Sequence, residues 1–179
     1  GNFYTLRALL NKGFPGTQVR YLLLQTHYKT QLNFTFAGLD AVKGSLQRLQ
    51  DFILRLQEID SPAAGGLVHA ALDRAFNGFS GALADDLNIS SALAALFELV
   101  REVNMLCDEK KVGRSEAESV LNLLKRFNEV LGLLSFEEKS AEVPKELEEA
   151  LAKRIEARQK KDWALADTLR DFISSRGYV

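Results

Sequence analysis

Apolar residues recur at alternating intervals of three and four through most of this chain. The clearest run follows Thr35, and its apolar positions are Leu39, Val42, Leu46, Leu49, Ile53 and Leu56. This spacing gives a helix one apolar stripe along its length, as in helices that pack side by side. Three similar stripes follow: Leu67, Ala71, Leu72, Phe76 and Phe79; Leu93, Leu96, Phe97, Val100 and Val103; and Val120, Leu121, Leu124, Phe127 and Leu131. Because each stripe has to be buried against the others, the sequence predicts an all-α protein with an antiparallel helical bundle.

Start and stop signals divide the chain further. Thr5 and Thr35 are predicted N-caps, and a helix from about 17 to 28 lies between them. The charged stretch "SFEEKSAEVPKE" has no sustained apolar stripe and is interpreted as a linker. After it, two short helices are predicted to form a hairpin. Asp162 is the expected N-cap of the second helix and Gly177 its stop signal.

Composition excludes several kinds of site. The chain has 179 residues, a formal net charge of −1, one cysteine and two histidines. A cysteine/histidine zinc site would need more ligands than these residues supply, and Cys107 is interpreted as a core thiol. No apolar run is long enough to cross a bilayer, so a cytoplasmic protein with no membrane partner is expected. Asp85 and Asp86 have no nucleophile beside them and are interpreted as helix-cap and dipole partners rather than a catalytic pair.

The terminal hairpin carries the most informative pattern. Trp163, Asp167 and Arg170 share one helix face, and the opposite face is predicted to be apolar, with Leu165, Leu169 and Phe172. The basic residues around this hairpin include Arg154, Arg158, Lys160 and Lys161. An exposed indole can stack on an unpaired base, a carboxylate can accept from a base edge, and cations attract phosphate. On residue type alone, however, a tryptophan packed on the preceding helix is favoured.

A second candidate surface lies within "VRYLLLQTHYKTQLNF", residues 19–34. Its basic, aromatic and amide side chains lie at a helix end and on the connector beyond it: Arg20, Tyr28, Lys29, Gln31 and Asn33. Such a helix end can brace RNA or a neighbouring domain. It is equally compatible with ordinary capping, in which His27 supports the end of its own helix.

Three separated stretches, "GNFYTLRALL", "VRYLLLQTHYKTQLNF" and "ARQKKDWALADTLRD", resemble in order and spacing the C-terminal part of bacterial cysteinyl-tRNA synthetases. "DDLNISSALAALFELVREVN" is similar to the helical bundle of that family. The resemblance implies a chain that starts just after the KMSKS loop, so that the Rossmann catalytic domain, the HIGH motif and the zinc site lie upstream. It also implies four parts: a stem-contact segment at 1–35, an anticodon-binding bundle at 36–134, a linker at 135–144, and a truncated anticodon-loop-binding domain at 145–179.

The resemblance assigns anticodon-base contacts to Arg158, Trp163 and Asp167, which reverses the expectation of a packed tryptophan. Local charge adds Arg154, Lys160, Lys161 and Arg170 as candidates for contact with the RNA backbone. The stem-contact candidates are Arg20, Tyr28, Lys29, Gln31 and Asn33.

The implied parent is a monomeric ligase that joins cysteine to its tRNA through a cysteinyl-adenylate, with ATP, magnesium and zinc. The present piece is expected to hold no cofactor, to be inactive alone, and to have cysteine tRNA and the missing catalytic domain as partners. Two alternatives stay open at this point. One is the corresponding part of a ligase that joins cysteine to a glucosaminyl-inositol, and the other is a stand-alone helical protein-interaction module.

Overall fold

A computed structural model describes residues 4–62, 65–137, 145–159 and 162–175. Over these residues the chain forms helices and no strands, which confirms the all-α prediction. The helices are α1 Leu6–Asn11, α2 Gly16–Leu24, α3 Phe36–Gln57, α4 Val68–Ala84, α5 Ile89–Asp108, α6 Arg114–Leu131, α7 Lys145–Gln159 and α8 Trp163–Ser175. They fall into two compact units, Gly1–Phe136 with α1–α6 and Glu137–Val179 with α7 and α8. The finer division at 35 and 134 stays a prediction.

Side-chain caps begin several helices of the first unit. Thr5 Oγ1 accepts from the Ala8 amide at 3.1 Å, and Thr35 Oγ1 accepts from the Gly38 amide at 3.0 Å. Both hydroxyls satisfy a donor that the first helical turn leaves unpaired, and both predicted caps are confirmed.

The core of the first unit consists of the large apolar side chains of its helical stripes. Its fully buried members are Leu39, Leu49, Ile53, Leu56, Val68, Leu96, Leu99, Val103, Val120, Leu124 and Leu131. Phe79 of α4 and Phe127 of α6 stack within it, with ring centroids 3.9 Å apart and planes 8° from parallel. The stripes therefore do what their spacing predicts, and helix packs on helix around one core.

Two predicted core positions of α4 are wrong. Leu67 precedes the helix and is 52% exposed, and Phe76 is 39% exposed with the Arg126 guanidinium 4.8 Å from its ring centroid. Val68 is fully buried in α4, as are Ala71, Ala75 and Phe79. Fewer positions of α4 are buried against neighbouring helices than its apolar sequence suggests. Small alanines make much of the contact with those helices.

A buried carboxylate organises the start of α6. Glu116 is 6% exposed, and its carboxylate accepts from the amides of Gly113 at 3.2 Å and Gly66 at 3.4 Å. The first bond is the glutamate half of a capping box at the N-terminus of α6, where the N-cap Gly113 has no side chain to supply the other half. The second ties the loop before α4 to the same point.

The second unit is a helical hairpin, as predicted, and Asp162 begins its second helix. The Asp162 carboxylate accepts from the Leu165 amide at 3.1 Å, which confirms the predicted cap. The buried side chains of this unit, among those that the structure describes, are alanines: Ala150, Ala157 and Ala166. Two members of the predicted apolar face of α8 are exposed, Leu165 at 48% and Phe172 at 36%. Gly177 and residues 138–144 of the predicted linker lie outside the described residues.

Candidate nucleic-acid interface

The connector after α2 begins earlier than its sequence suggests. Helix α2 ends at Leu24, four residues before the predicted end near Tyr28. The His27 carbonyl accepts from the amide and the hydroxyl of Thr30, at 2.8 and 2.7 Å, and so forms a separate turn. His27 Nδ1 accepts from the Lys29 amide at 3.2 Å. His27 therefore supports this turn rather than the end of its own helix.

The turn between α4 and α5 holds this connector through one carboxylate. Tyr28 donates its hydroxyl to Asp86 Oδ1 at 2.6 Å, and the Lys29 ammonium pairs with Asp86 Oδ2. His27 Nε2 lies 3.9 Å from the same Oδ2. We call Asp86, Lys29, Tyr28 and His27 the Asp86 cluster.

Hydrogen bonding within the Asp86 cluster shifts two titrations. The bond from Lys29, followed by that from Tyr28, holds the pKa of the Asp86 carboxyl below its ordinary value. The bond to Asp86 is the main reason that the pKa of the Tyr28 hydroxyl is raised. Asp86 is therefore a carboxylate and Tyr28 a hydroxyl donor at neutral pH.

The Asp86 cluster presents an aromatic and cationic surface to solvent. The Tyr28 ring is 64% exposed and stacks on the His27 ring, with centroids 4.8 Å apart and planes 24° from parallel. The Lys29 ammonium lies 5.5 Å from the Tyr28 ring centroid, and its side chain is 61% exposed. Proteins that bind single-stranded or loop nucleotides use exposed aromatic rings to stack on bases and nearby cations to attract phosphates.

The other three stem-contact candidates differ from one another. Gln31 and Asn33 are exposed on the connector, and the described residues provide neither with a hydrogen-bond partner. The Arg20 guanidinium, in contrast, donates from Nε to the Leu131 carbonyl and from Nη2 to the Val130 carbonyl, the latter at 3.2 Å. Arg20 thus satisfies the end of α6, where a cation is also favoured by the helix dipole.

Part of the predicted anticodon surface is described on α8. Arg170 Nη1 lies 3.2 Å from Asp167 Oδ1, and its Nε and Nη2 donate to Asp171 Oδ1 at 3.2 and 3.1 Å. All three side chains are exposed, and Arg154 on α7 is partly exposed. The helix spacing therefore places Asp167 and Arg170 together, as predicted. The side chains of Arg158 and Trp163, and all of Lys160 and Lys161, lie outside the described set.

Comparison with known proteins identifies one matching family and several similar ligases. Residues 78–135 match the family described as "DALR domain". All 179 residues align with a cysteine–tRNA ligase of Protochlamydia amoebophila at 60% identity, and the whole chain aligns with that of Chlamydia felis at 44%. The chain is a homologue of the C-terminal part of cysteine–tRNA ligases. It spans 37% and 38% of the length of these two relatives.

The Asp86 cluster joins two portions of this ligase homologue. Asp86 lies inside the DALR match, whereas Tyr28 and Lys29 precede it by about fifty residues. The expectation that Asp86 caps α5 is wrong, because Asn88 caps this helix, and its Oδ1 accepts from the Ser91 amide at 3.1 Å. The expected interaction of Asp86 with the helix dipole stays a prediction. Sequence reasoning missed the role of Asp86, since the only local signal was its place in a polar turn.

Two further findings concern the described residues of the homologue. They contain no group of three or more His, Cys, Asp or Glu side chains that could hold a metal ion. Among the helices described, none has the length and apolar character needed to span a membrane.

Proposed function

We propose that this chain is the tRNA-binding portion of a cysteine–tRNA ligase and that it contributes to anticodon recognition. The observation that carries the proposal is the alignment of all 179 residues with these ligases, including the DALR match at 78–135. The exposed polar groups of α8 and of the connector after α2 support it. Nothing in the comparisons supports the glucosaminyl-inositol ligase or the protein-interaction module.

The proposed division of labour follows from exposed polar groups where the structure describes them, and from the family resemblance for Arg158 and Trp163. On α8, Asp167 accepts a hydrogen bond from a base edge, and Arg170 leaves its neighbouring carboxylates to bind a phosphate. Arg158 and Trp163, on the same hairpin, contact anticodon bases. In the connector, Tyr28 and Lys29 contact the stem together with Gln31 and Asn33. Arg154, Lys160 and Lys161 add attraction that is independent of sequence. Arg20 has a structural role, because its donors are engaged by the end of α6.

Bond making belongs, in this proposal, to the part of the ligase that the chain does not span. That part binds ATP with magnesium, zinc and cysteine, forms the cysteinyl-adenylate, and is the direct partner of the segment at 1–35. The present chain alone is inactive in aminoacylation. We place the ligase in the cytoplasm, as a monomer.

Titration with cysteine tRNA and with a non-cognate tRNA, each at two salt concentrations, tests the proposal. We expect tighter binding of the cognate tRNA, weakened by salt because phosphate contacts release counterions. Equal affinity for both tRNAs, or none, would contradict anticodon recognition.

Substitution on α8 localises the contact. Trp163→Ala should weaken binding of cysteine tRNA by about 1–3 kcal/mol, since stacking on a base is lost. Phe172→Ala is the matched control, because it removes an exposed aromatic side chain that nine helical positions place on the opposite face of α8. A large fall in melting temperature with unchanged RNA affinity for Trp163→Ala would mean that the tryptophan packs in the hairpin.

A further inference from the structure

The turn that carries Asp86 has an unusual backbone that hydrogen bonds hold in place. Asp86 and Leu87 have φ of 55° and 53°, the left-handed region that residues other than glycine seldom occupy. The Leu87 amide donates to the Leu83 carbonyl at 3.2 Å, and the Asn88 amide donates to the Ala82 carbonyl at 2.9 Å. These bonds fix the turn to the end of α4, and the direction in which Asp86 leaves the backbone is fixed with it.

From this fixed position the Asp86 carboxylate reaches the connector after α2, whose own hydrogen bonds form the turn from His27 to Thr30. The connector between α2 and α3 contains no helix or strand, and Tyr28 and Lys29 are both exposed on it. Asp86 binds both side chains, and Ser90 Oγ of α5 donates to the Gln25 carbonyl at 2.6 Å nearby. The connector is thus tied to the α4–α5 turn by Asp86 and to the start of α5 by Ser90.

Binding to Asp86 leaves the recognition groups of Tyr28 and Lys29 available. A lysine ammonium has three donors, and the Asp86 oxygen takes one of them. The tyrosine ring uses only its hydroxyl in the contact and keeps most of its surface in solvent. The carboxylate therefore restricts the rotamers of both side chains without covering them.

We propose that Asp86 is a positioning residue for RNA binding: its carboxylate holds Tyr28 and Lys29 ready for a nucleotide and its phosphodiester. This inference rests on the proposed function and adds a specific residue to it. Immobilising long side chains at an interface has an entropic cost that is lowered when they are already ordered.

The alternative effect of Asp86 has the opposite sign. A carboxylate beside Lys29 also repels phosphate and competes for the ammonium, so a mainly competitive Asp86 would make its removal strengthen binding. The sign of the change in affinity therefore separates positioning from competition.

The test uses substitutions that suit a left-handed backbone. Asp86→Gly removes the side chain without steric strain at positive φ, whereas alanine would add strain. Asp86→Asn keeps an acceptor oxygen and a residue type that tolerates this conformation. Asp85→Asn, at the neighbouring exposed position, is the matched control for loss of one negative charge.

We expect Asp86→Gly to raise the Kd for cysteine tRNA about threefold to tenfold, from the renewed freedom of two long side chains. Asp86→Asn should have a smaller effect in the same direction, and Asp85→Asn should bind no more weakly than the parent chain. In a Lys29→Ala, Tyr28→Ala background, Asp86→Gly should have no further effect, because nothing remains to be positioned.

Unchanged or tighter binding by Asp86→Gly would overturn the inference while leaving the proposed function intact. An equal rise in the Kd on Asp86→Gly in the doubly substituted background would also overturn it, since that result means that Asp86 has a general structural role. Absence of cysteine tRNA binding by the unsubstituted chain would instead overturn the proposed function and this inference together.

Discussion

The two units of this chain bury different kinds of side chain. The first unit encloses leucines, isoleucine, valines and phenylalanines in a core shared by several helices. In the second unit the described buried side chains are alanines, and large apolar residues of both helices are exposed, among them Leu151, Ile155, Leu165 and Phe172. Buried apolar area is the main stabilising contribution in folding, so the first unit should be much the more stable.

This difference has a functional consequence within the proposal. The first unit is a scaffold that fixes the turn bearing Asp86, whereas the second unit offers its helix surfaces, and the buried side chains described there are small alanines. Elements with few buried apolar contacts open locally at low free-energy cost. A hairpin of this kind can adjust to an RNA loop, and the bundle cannot.

The largest expected effect comes from breaking the core of the first unit. Phe79→Ala should lower its free energy of unfolding by about 3–5 kcal/mol, because the ring is buried and stacks on Phe127. Phe76→Ala, one turn earlier on α4, is the matched control. It should cost about 1 kcal/mol or less, since that ring is partly exposed beside Arg126. Chemical denaturation followed by circular dichroism measures both, and equal costs would contradict the assignment of the core.

An intermediate effect is expected from overfilling the hairpin. Ala166→Leu should destabilise the second unit by about 1–3 kcal/mol, because Ala166 is buried where α7 and α8 pack. Ala152→Leu places the same side chain at an exposed position of α7 and should change little. Trp163 is the only tryptophan and lies in α8, so its fluorescence reports on this unit selectively. If Ala166→Leu also abolished the unfolding transition of the first unit, followed by circular dichroism, the two units would not unfold separately.

A smaller effect tests how α6 ends in the first unit. Gly132 has φ of 60°, and a Cβ there would lie 3.1 Å from Arg20 Nε. Gly132→Ala should therefore cost about 1–2 kcal/mol of stability, from the left-handed backbone alone. Gly44→Ala is the same change in the open middle of α3 and should stabilise by about 0.5–1 kcal/mol. Thermal unfolding of both variants checks the opposite signs, and destabilisation by Gly44→Ala would contradict the helical assignment.

Sequence reasoning was most successful where the cause is local. The caps at Thr5, Thr35 and Asp162 depend on a side chain and an amide three residues away, and all three are confirmed. The apolar stripes likewise predicted the helices. Periodicity identifies the face that packs but not how far the neighbours cover it, which is why Phe76 was wrongly expected to be buried.

The Asp86 cluster could not be predicted because its partners are far apart in sequence. Tyr28 and Asp86 are separated by 58 positions. Nothing near Tyr28 shows that helix α2 ends early, and nothing in "DDLN" shows a left-handed backbone at an aspartate. By contrast, Asp167 and Arg170 were placed together correctly, because they are three residues apart on one helix.

The smallest expected effect concerns titration at the surface and in the core of the first unit. The bond to Asp86 is the main cause of the raised pKa of Tyr28, whereas burial is the main cause of the raised pKa of Tyr21. Asp86→Asn should therefore lower the pKa of Tyr28 toward its ordinary value and leave that of Tyr21 unchanged. Ring chemical shifts followed by NMR over alkaline pH measure both tyrosines in one sample.

The sign of the pH dependence follows from the two shifts in the Asp86 cluster. The lowered pKa of Asp86 means that its contact stabilises the fold above the ordinary carboxyl pKa and is lost as the pH falls through the lowered value. The raised pKa of Tyr28 means that its contribution is present below the ordinary phenol pKa and is lost as the pH rises through the raised value. Both contributions are small because the groups are exposed and screened by solvent.

NMR cross-peaks between Tyr28 and Asp86 should thus persist through neutral pH and disappear at both extremes of pH. The NMR cross-peaks of Tyr21 with the core should persist wherever the bundle is folded. If the cross-peaks of Tyr28 and those of Tyr21 were lost at the same pH, the contacts of the Asp86 cluster would be lost only because the bundle unfolds.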